Sequence, residues 1–203
     1  MTPAPPTGSR IIVKTMDADP IIVVPSPSGG IMRYGIGLFV LAWLGGWVFG
    51  FGGAASQLAA GNTPGTAKGF LAFWLVAWTV GGVFAVYYAY RAFRPPVPET
   101  LTLKRGSVLY DSGIPALQMN YGYNYSYANQ REAWRAMFPK RTIVDIDRRQ
   151  LETLRLRETD TGNRLTVDAN AARLDLAATA SEIEREWLYK TLASRYSLPA
   201  PSA

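Results

Sequence analysis

Residues 34–55 read YGIGLFVLAWLGGWVFGFGGAA, a run of 22 residues without a charged side chain. As an α-helix this run would be about 33 Å long, which matches the hydrocarbon thickness of a bilayer. Residues 69–90 form a second uncharged run of equal length, and the segment GNTPG at residues 61–65 between them is a helix-stopping loop signal. The two runs predict a transmembrane helical hairpin over residues 31–94.

The basic residues around these runs predict their orientation. Only Lys68 lies between the runs, whereas five basic residues flank their outer ends. The five are Arg10, Lys14, Arg33, Arg91 and Arg94. Because Lys and Arg accumulate in cytoplasmic loops, both termini are expected to be cytoplasmic.

Small residues recur at every fourth position in both runs. Helices associate in lipid through close backbone approach, which such a stripe permits. The stripes are Ala42, Gly46, Gly50 and Ala54 in the first run, and Ala77, Gly81, Ala85 and Ala89 in the second. We expect them to pack on each other. Neither run contains an ionisable residue of the kind that transporters use at membrane depth, so an anchor or docking surface is expected rather than a transport path.

Residues 1–30 predict a flexible N-terminal arm, since Pro, Ser and Gly separate two short β-branched runs. These runs are residues 11–13 and 21–24. The alternative is that one of them pairs with an exposed strand of the later domain.

Residues 95–203 predict a cytoplasmic β-rich domain. Strand-like segments alternate with turn signals, of which DTGN at residues 160–163 is the strongest hairpin turn. The segments are residues 101–103, 108–110, 143–146, 151–157, 164–168 and 174–176. Together they predict an antiparallel sheet.

The end of the chain predicts an amphipathic helix that packs on this sheet. It would begin near Thr179, where Thr179 with Glu182 and Ser181 with Glu184 are alternative capping boxes. The apolar residues at helical spacing are Ile183, Trp187, Leu188, Leu192 and Tyr196. The fold class is therefore a membrane α-helical hairpin plus a cytoplasmic α+β domain.

Antiparallel strands followed by a C-terminal helix are the order of pleckstrin-homology-like (PH-like) barrels. The chain resembles uncharacterised bacterial membrane proteins that have two transmembrane helices and a C-terminal PH-like domain. The resemblance covers about residues 21–196 and is carried by AWLGGW at 42–47, WTVGG at 78–82, EREWL at 184–188, and RLRE at 155–158 leading into RLTV at 164–167. It implies a PH-like fold and a bacterial cytoplasmic (inner) membrane location, and it carries no activity.

The composition excludes several functions. Cys and His are absent, which removes disulfides, thiolate and imidazole metal ligands and the usual nucleophiles and bases. The charges after residue 95 are mixed in sign rather than forming a basic stripe, which argues against nucleic-acid binding. No catalytic residue, cofactor or metal is expected.

Two segments before residue 142 are candidates for contacts with partners. Tyr121, Tyr123, Tyr125 and Tyr127 would project from one side of an extended chain and could form a partner interface or pack on their own domain. Residues 130–141 predict a short basic helix at the membrane surface, with a solvated loop edge as the alternative. The expected lipid-interface residues are Arg33, Arg91, Arg94, Arg131, Trp134, Arg135, Phe138, Lys140 and Arg141.

Together these features predict a non-enzymatic, membrane-anchored interaction module. We expect an accessory or structural subunit of a larger inner-membrane complex, respiratory or photosynthetic. The alternative is a stand-alone lipid-sensing or signalling PH-like protein. The expected partners are membrane lipids and other integral membrane subunits, and not nucleic acid.

Overall fold

The computed structural model describes residues 3–16, 19–26, 30–61, 63–117, 138–159 and 162–199. The chain divides into two compact units. A helical unit contains residues 30–95 and 116–117, and a β unit contains the other described residues.

Two long apolar helices make up most of the helical unit. Helix α1 spans Met32–Ala59 and helix α2 spans Gly65–Phe93, so each is about 40 Å long. Gly61 follows α1 with a left-handed φ of +75°, the conformation in which glycine commonly ends a helix. Large apolar side chains are exposed along both helices, as for Phe49 at 84%. The prediction of two helices long and apolar enough to cross a membrane is confirmed.

The described part of the β unit contains two antiparallel sheets. The five-stranded sheet has the order β1-β2-β3-β4-β5, with β1 Ile12–Met16, β2 Asp19–Val24, β3 Glu99–Leu103, β4 Ser107–Asp111 and β5 Ile143–Asp147. The three-stranded sheet has the order β6-β7-β8, with β6 Arg155–Thr159, β7 Gly162–Ala169 and β8 Ala172–Leu176. A one-turn helix α3, Arg148–Leu151, connects β5 to β6, and helix α4, Glu182–Tyr196, follows β8.

One apolar core joins both sheets to α4. Strand β3 alternates in burial, with Leu101 and Leu103 inside, and β7 contributes Leu165 to the same cluster. Helix α4 adds Leu188 and Leu192, which are both fully buried. The predicted layout of two apolar helices, then an antiparallel sheet domain with a C-terminal helix, is therefore present.

The prediction of a flexible N-terminal arm is wrong for Ile12–Met16 and Asp19–Val24, which form β1 and β2. Strand β2 pairs with both β1 and β3, so the predicted alternative of pairing with the later domain is what occurs. Burial of Ile22 and Val24 supplies the stabilisation that a flexible arm would lack. Pro20 causes no loss in the β2–β3 ladder, because that ladder begins at Ile21.

The strand predicted over residues 151–157 begins later than expected. Asp147 and Gln150 form a capping box that starts the one-turn helix α3, and β6 then begins at Arg155. The predicted hairpin follows, with Thr159 paired to Gly162. Residues 160–161 of its turn lie outside the described residues.

Helix α4 buries the predicted face at Leu188, Leu192 and Tyr196, with Trp187 packed against the core, but not at Ile183. Of the two capping boxes, the one formed by Ser181 and Glu184 is present. Ile183 is 67% exposed, which corrects its assignment to the apolar face, and Glu184 is buried instead. Neighbouring helix residues are about 100° apart, so a Glu184 side chain fixed inward turns Ile183 towards solvent.

Candidate membrane-anchoring site

Trp47 of α1 packs closely against Gly82 of α2. A Cβ at position 82 would overlap the Trp47 ring, so glycine is required for this approach. Trp47 Nε1 also donates a hydrogen bond to the carbonyl oxygen of Trp78 at 3.2 Å. This bond gives the indole N–H a partner that lipid could not provide.

Aromatic rings extend this contact along the hairpin. The centroids of Trp47 and Trp78 are 6.4 Å apart with nearly parallel planes, and those of Trp74 and Trp78 are 4.2 Å apart. Phe51 stacks on Trp47 at 5.3 Å. Packing of large rings therefore accompanies the small-residue contact between the helices.

The predicted small-residue stripes form the interface only in part. Ala89 is buried, Ala54 and Ala85 are half-buried, and a Cβ at Gly50 would lie 3.7 Å from Trp78. Ala42 and Ala77 are exposed. Outside each helix's own backbone, no described atom lies within 4 Å of a Cβ built at Gly46 or Gly81. Their assignment to the contact is therefore wrong.

The physical reason is a rotation of the contact by one residue. Trp47 and Gly82 directly follow Gly46 and Gly81, and a one-residue step rotates a helix face by about 100°. A tryptophan against a glycine fills more space than two glycines would, and dispersion contacts drive association in lipid. Gly37 makes a similar close approach to Phe93 and Ala92.

Arginine and tyrosine side chains gather where α1 begins and α2 ends. The Arg33 guanidinium lies 4.5 Å from the centroid of the Tyr34 ring, and Tyr34 is 6.1 Å from Phe93. The guanidinium of Arg94 lies 5.9 Å from the Tyr90 ring. Arg33 Nη1 is buried and has no hydrogen-bond partner among the described residues. Since the sequence from 20 to 98 contains no Asp or Glu, the helical unit has no carboxylate to neutralise these cations.

An apolar groove runs between the two helices at this end. Its volume is about 620 Å³. It is lined by Leu41, Leu44, Val86, Ala89, Tyr90, Phe93, Arg94 and Pro95. Of the predicted lipid-interface residues, Arg94 lies in this lining, whereas Arg91 is buried. The spacing of small residues gives no signal for this groove, because large side chains form most of its wall.

Three other predicted lipid-interface residues, Phe138, Lys140 and Arg141, belong to the β unit. Phe138 and Lys140 are exposed. Arg141 forms an ion pair with Asp111, in which Nε lies 2.9 Å from Oδ1, and this hydrogen bond is the main reason why the pKa of Asp111 is lowered. The guanidinium thus already has an anionic partner. Arg131, Trp134 and Arg135 lie outside the described residues, as do Tyr121, Tyr123, Tyr125 and Tyr127.

Glu99 is a buried carboxyl group that the sequence analysis missed. It lies at the start of β3, is 5% exposed, and accepts a hydrogen bond from the backbone N–H of Ala177 at 2.6 Å. Burial raises its pKa to about 7, although hydrogen bonds from Ala177 and Tyr110 oppose this shift. Strand alternation alone would have placed an apolar residue at this inward position.

Glu184 is a second buried carboxyl group, and it joins the N-terminal segment to α4. Its oxygens accept hydrogen bonds from Ser9 Oγ and the Arg10 backbone N–H, both at 2.8 Å, and from the Ser181 N–H at 2.7 Å. Burial would raise its pKa, but these bonds prevail and lower it to about 2. The capping box in the sequence predicted the contact of Glu184 with Ser181, whereas no sequence pattern near Glu184 predicted its contact with Ser9.

The described residues contain no cluster of three or more His, Cys, Asp or Glu side chains that could hold a metal ion. No family model, curated protein or solved structure matches the chain.

Proposed function

We propose that this chain is a non-enzymatic interaction module that its helical hairpin anchors in a bacterial inner membrane, with the β unit at the cytoplasmic face. One observation carries the proposal: Val24 of β2 and Glu99 of β3 are register partners, and the hairpin is the connection between them. The β unit is taken to be PH-like, on the basis of its antiparallel strands followed by a C-terminal helix.

This connection constrains the membrane topology. Short segments, residues 25–31 and 94–98, join the helices to two adjacent strands of one sheet. This supports a topology in which both outer ends of the hairpin open on the same side of the bilayer. The basic residues at those ends favour the cytoplasmic side.

The hairpin's surface supports a partner within the membrane. Gly46 and Gly81 leave small-residue surface uncovered by the described residues, and such surface suits close approach by another helix. We therefore favour a subunit of a larger inner-membrane complex, respiratory or photosynthetic. A stand-alone lipid-binding protein is the second candidate, supported by the cations and groove at the open end.

Cysteine labelling tests the topology directly, since the chain has no cysteine of its own. Single cysteines would be introduced by Thr66→Cys at the loop end of α2, and by Thr7→Cys and Arg105→Cys in the β unit, all at exposed positions. In intact cells a membrane-impermeant maleimide should label only the Thr66→Cys protein, and permeabilisation should then expose the other two. Labelling of either β-unit cysteine in intact cells would refute the proposal.

Purification in a mild detergent separates the two candidate roles. Co-purification with a stoichiometric set of integral membrane proteins supports the subunit role. Recovery as a monomer or homodimer supports the stand-alone role. Gly46→Leu and Gly81→Leu, which add bulk to uncovered surface, should weaken co-purification without unfolding the hairpin.

A further inference from the structure

The groove at the open end of the hairpin combines an apolar wall with one cation at its mouth. Leu41 and Leu44 line it from α1, and Val86 and Tyr90 line it from α2. Ala89 is 4% exposed, whereas Leu41, Val86 and Tyr90 are each about half exposed. A small buried residue between larger, half-exposed ones forms an open groove on the surface of the hairpin.

The length of this groove suits part of an acyl chain. Phe93 and Val86 are seven residues apart on α2, which corresponds to roughly 10 Å along the helix. One leaflet of the hydrocarbon core is about 15 Å thick. A chain that enters beside Phe93 would therefore contact the groove over most of its leaflet.

The charges at this end of the hairpin indicate which class of lipid head group would bind. Arg94 lines the groove beside Pro95, where α2 ends, and a guanidinium is well suited to bind phosphate oxygens in pairs. Residues 20–98 contain no Asp or Glu, so the helical unit has no carboxylate to receive the ammonium of a zwitterionic head group. A net negative phospholipid matches this end of the hairpin better than a zwitterionic one.

We propose that this groove is a binding site for one anionic phospholipid, whose phosphate binds Arg94 and whose acyl chain lies along Leu41, Leu44 and Val86. This inference rests on the membrane anchoring proposed above and specifies the lipid partner. Arg33, at the same end of the hairpin, adds a second positive charge near the head group.

The test uses the full-length protein in detergent micelles, supplied with phosphatidylglycerol or phosphatidylcholine, with retained lipid counted by native mass spectrometry. The wild type should retain phosphatidylglycerol preferentially. Arg94→Gln should weaken this retention roughly fivefold, since one arginine near a membrane surface contributes about 1 kcal/mol. Lys68→Gln, which removes an exposed cation at the loop end of the hairpin, is the matched control and should retain lipid as the wild type does.

Leu44→Trp fills the groove and leaves the charge in place, so it should reduce retention of both lipids. Circular dichroism confirms that each variant keeps its helices, and Arg94→Met, which also removes the charge but keeps a long side chain, replaces Arg94→Gln should the latter unfold. Equal retention of the two lipids by the wild type, or unchanged retention by the Arg94 and Leu44 variants, would overturn the lipid site. A chain that is soluble without detergent would overturn the anchoring itself, so the two failures are distinct.

Discussion

Val24 and Glu99 are paired across neighbouring antiparallel strands, although the complete helical hairpin lies between them in the chain. The five-stranded sheet therefore combines strands that precede the hairpin in the chain with strands that follow it. The hairpin is in effect a very long loop in a β-meander, and loop-closure entropy rises only slowly with loop length.

Removing this loop should release a soluble β unit. We expect a chain in which Asn-Gly replaces residues 25–98 to remain in solution without detergent, because these two residues form a tight turn between paired strands. Analytical ultracentrifugation and circular dichroism would measure its size and β content. The same protein without residues 1–24 should aggregate, because it loses β1 and β2 and leaves the edge of β3 unpaired. Similar behaviour of both chains would contradict this account of the sheet.

Glu99 should make the stability of the β unit fall as pH rises. Its pKa is raised from 4.5 to about 7 in the folded state, so the folded chain holds a proton that the unfolded chain has released between these values. The free energy of unfolding should fall by roughly 1.4 kcal/mol per pH unit across this window. Urea titrations at several pH values measure the slope.

The variant Glu99→Gln should lose this component of the slope, because its amide keeps an acceptor for the Ala177 N–H and does not titrate. At pH 8 it should be at least as stable as the wild type. An unchanged pH dependence in this variant would show that another group is responsible.

Glu184 has the opposite pH behaviour. Its pKa is lowered from 4.5 to about 2, so its contribution is complete above 4.5 and is lost as pH falls towards 2. Glu184→Ala should lower the free energy of unfolding by about 2 kcal/mol, because it removes a helix cap and leaves buried donors unpaired. Hydrogen exchange at the Arg10 amide should also become faster.

Glu186→Ala is the matched control on the same helix. Glu186 is exposed and pairs with Lys190 four residues later, an arrangement worth only a few tenths of a kcal/mol. A loss of stability equal to that of Glu184→Ala would show that the effect belongs to helix charge and not to the N-terminal attachment.

The neighbouring glycines Gly81 and Gly82 should respond differently to the same substitution. Gly82→Ala places a Cβ against the Trp47 ring and should destabilise the hairpin by about 1–3 kcal/mol. Gly81→Ala meets open space among the described residues and should be neutral or stabilising. Thermal unfolding in detergent, followed by tryptophan fluorescence, compares the two. A larger loss of thermal stability from Gly81→Ala than from Gly82→Ala would show that the predicted small-residue stripe is the contact face after all.

The local sequence pattern was sufficient to predict those helices and strands that a single stretch of sequence determines. Long uncharged runs predicted α1 and α2, and strand-like segments between turn signals predicted β3 and β4. The β2–β3 pairing was predicted only as an alternative to a flexible arm. Its partners, such as Ile21 and Thr102, lie on opposite sides of the hairpin in the chain. No local signal specifies such a distant partner.

The helix contact was misplaced for a different reason. Gly45-Gly46 and Gly81-Gly82 are doublets, but only Gly46 and Gly81 continue a repeat of small residues every four positions. That spacing pointed to Gly81, whereas the Trp47 ring packs against Gly82. Likewise, apolar spacing assigned Ile183 to the core because it could not register the donors of Ser9 and Arg10 that hold Glu184 inward.

The pairing of β2 with β3 also has a consequence for biosynthesis. A ribosome releases β1 and β2 before either long helix, and β3 only after both. On the proposed topology, the sheet can close only once the nascent chain has traversed the bilayer and come back. In a chain that fails to return, Ile22 and Val24 would lack their partners and remain exposed. Exposed apolar side chains of this kind would identify the incompletely inserted chain to cellular quality control.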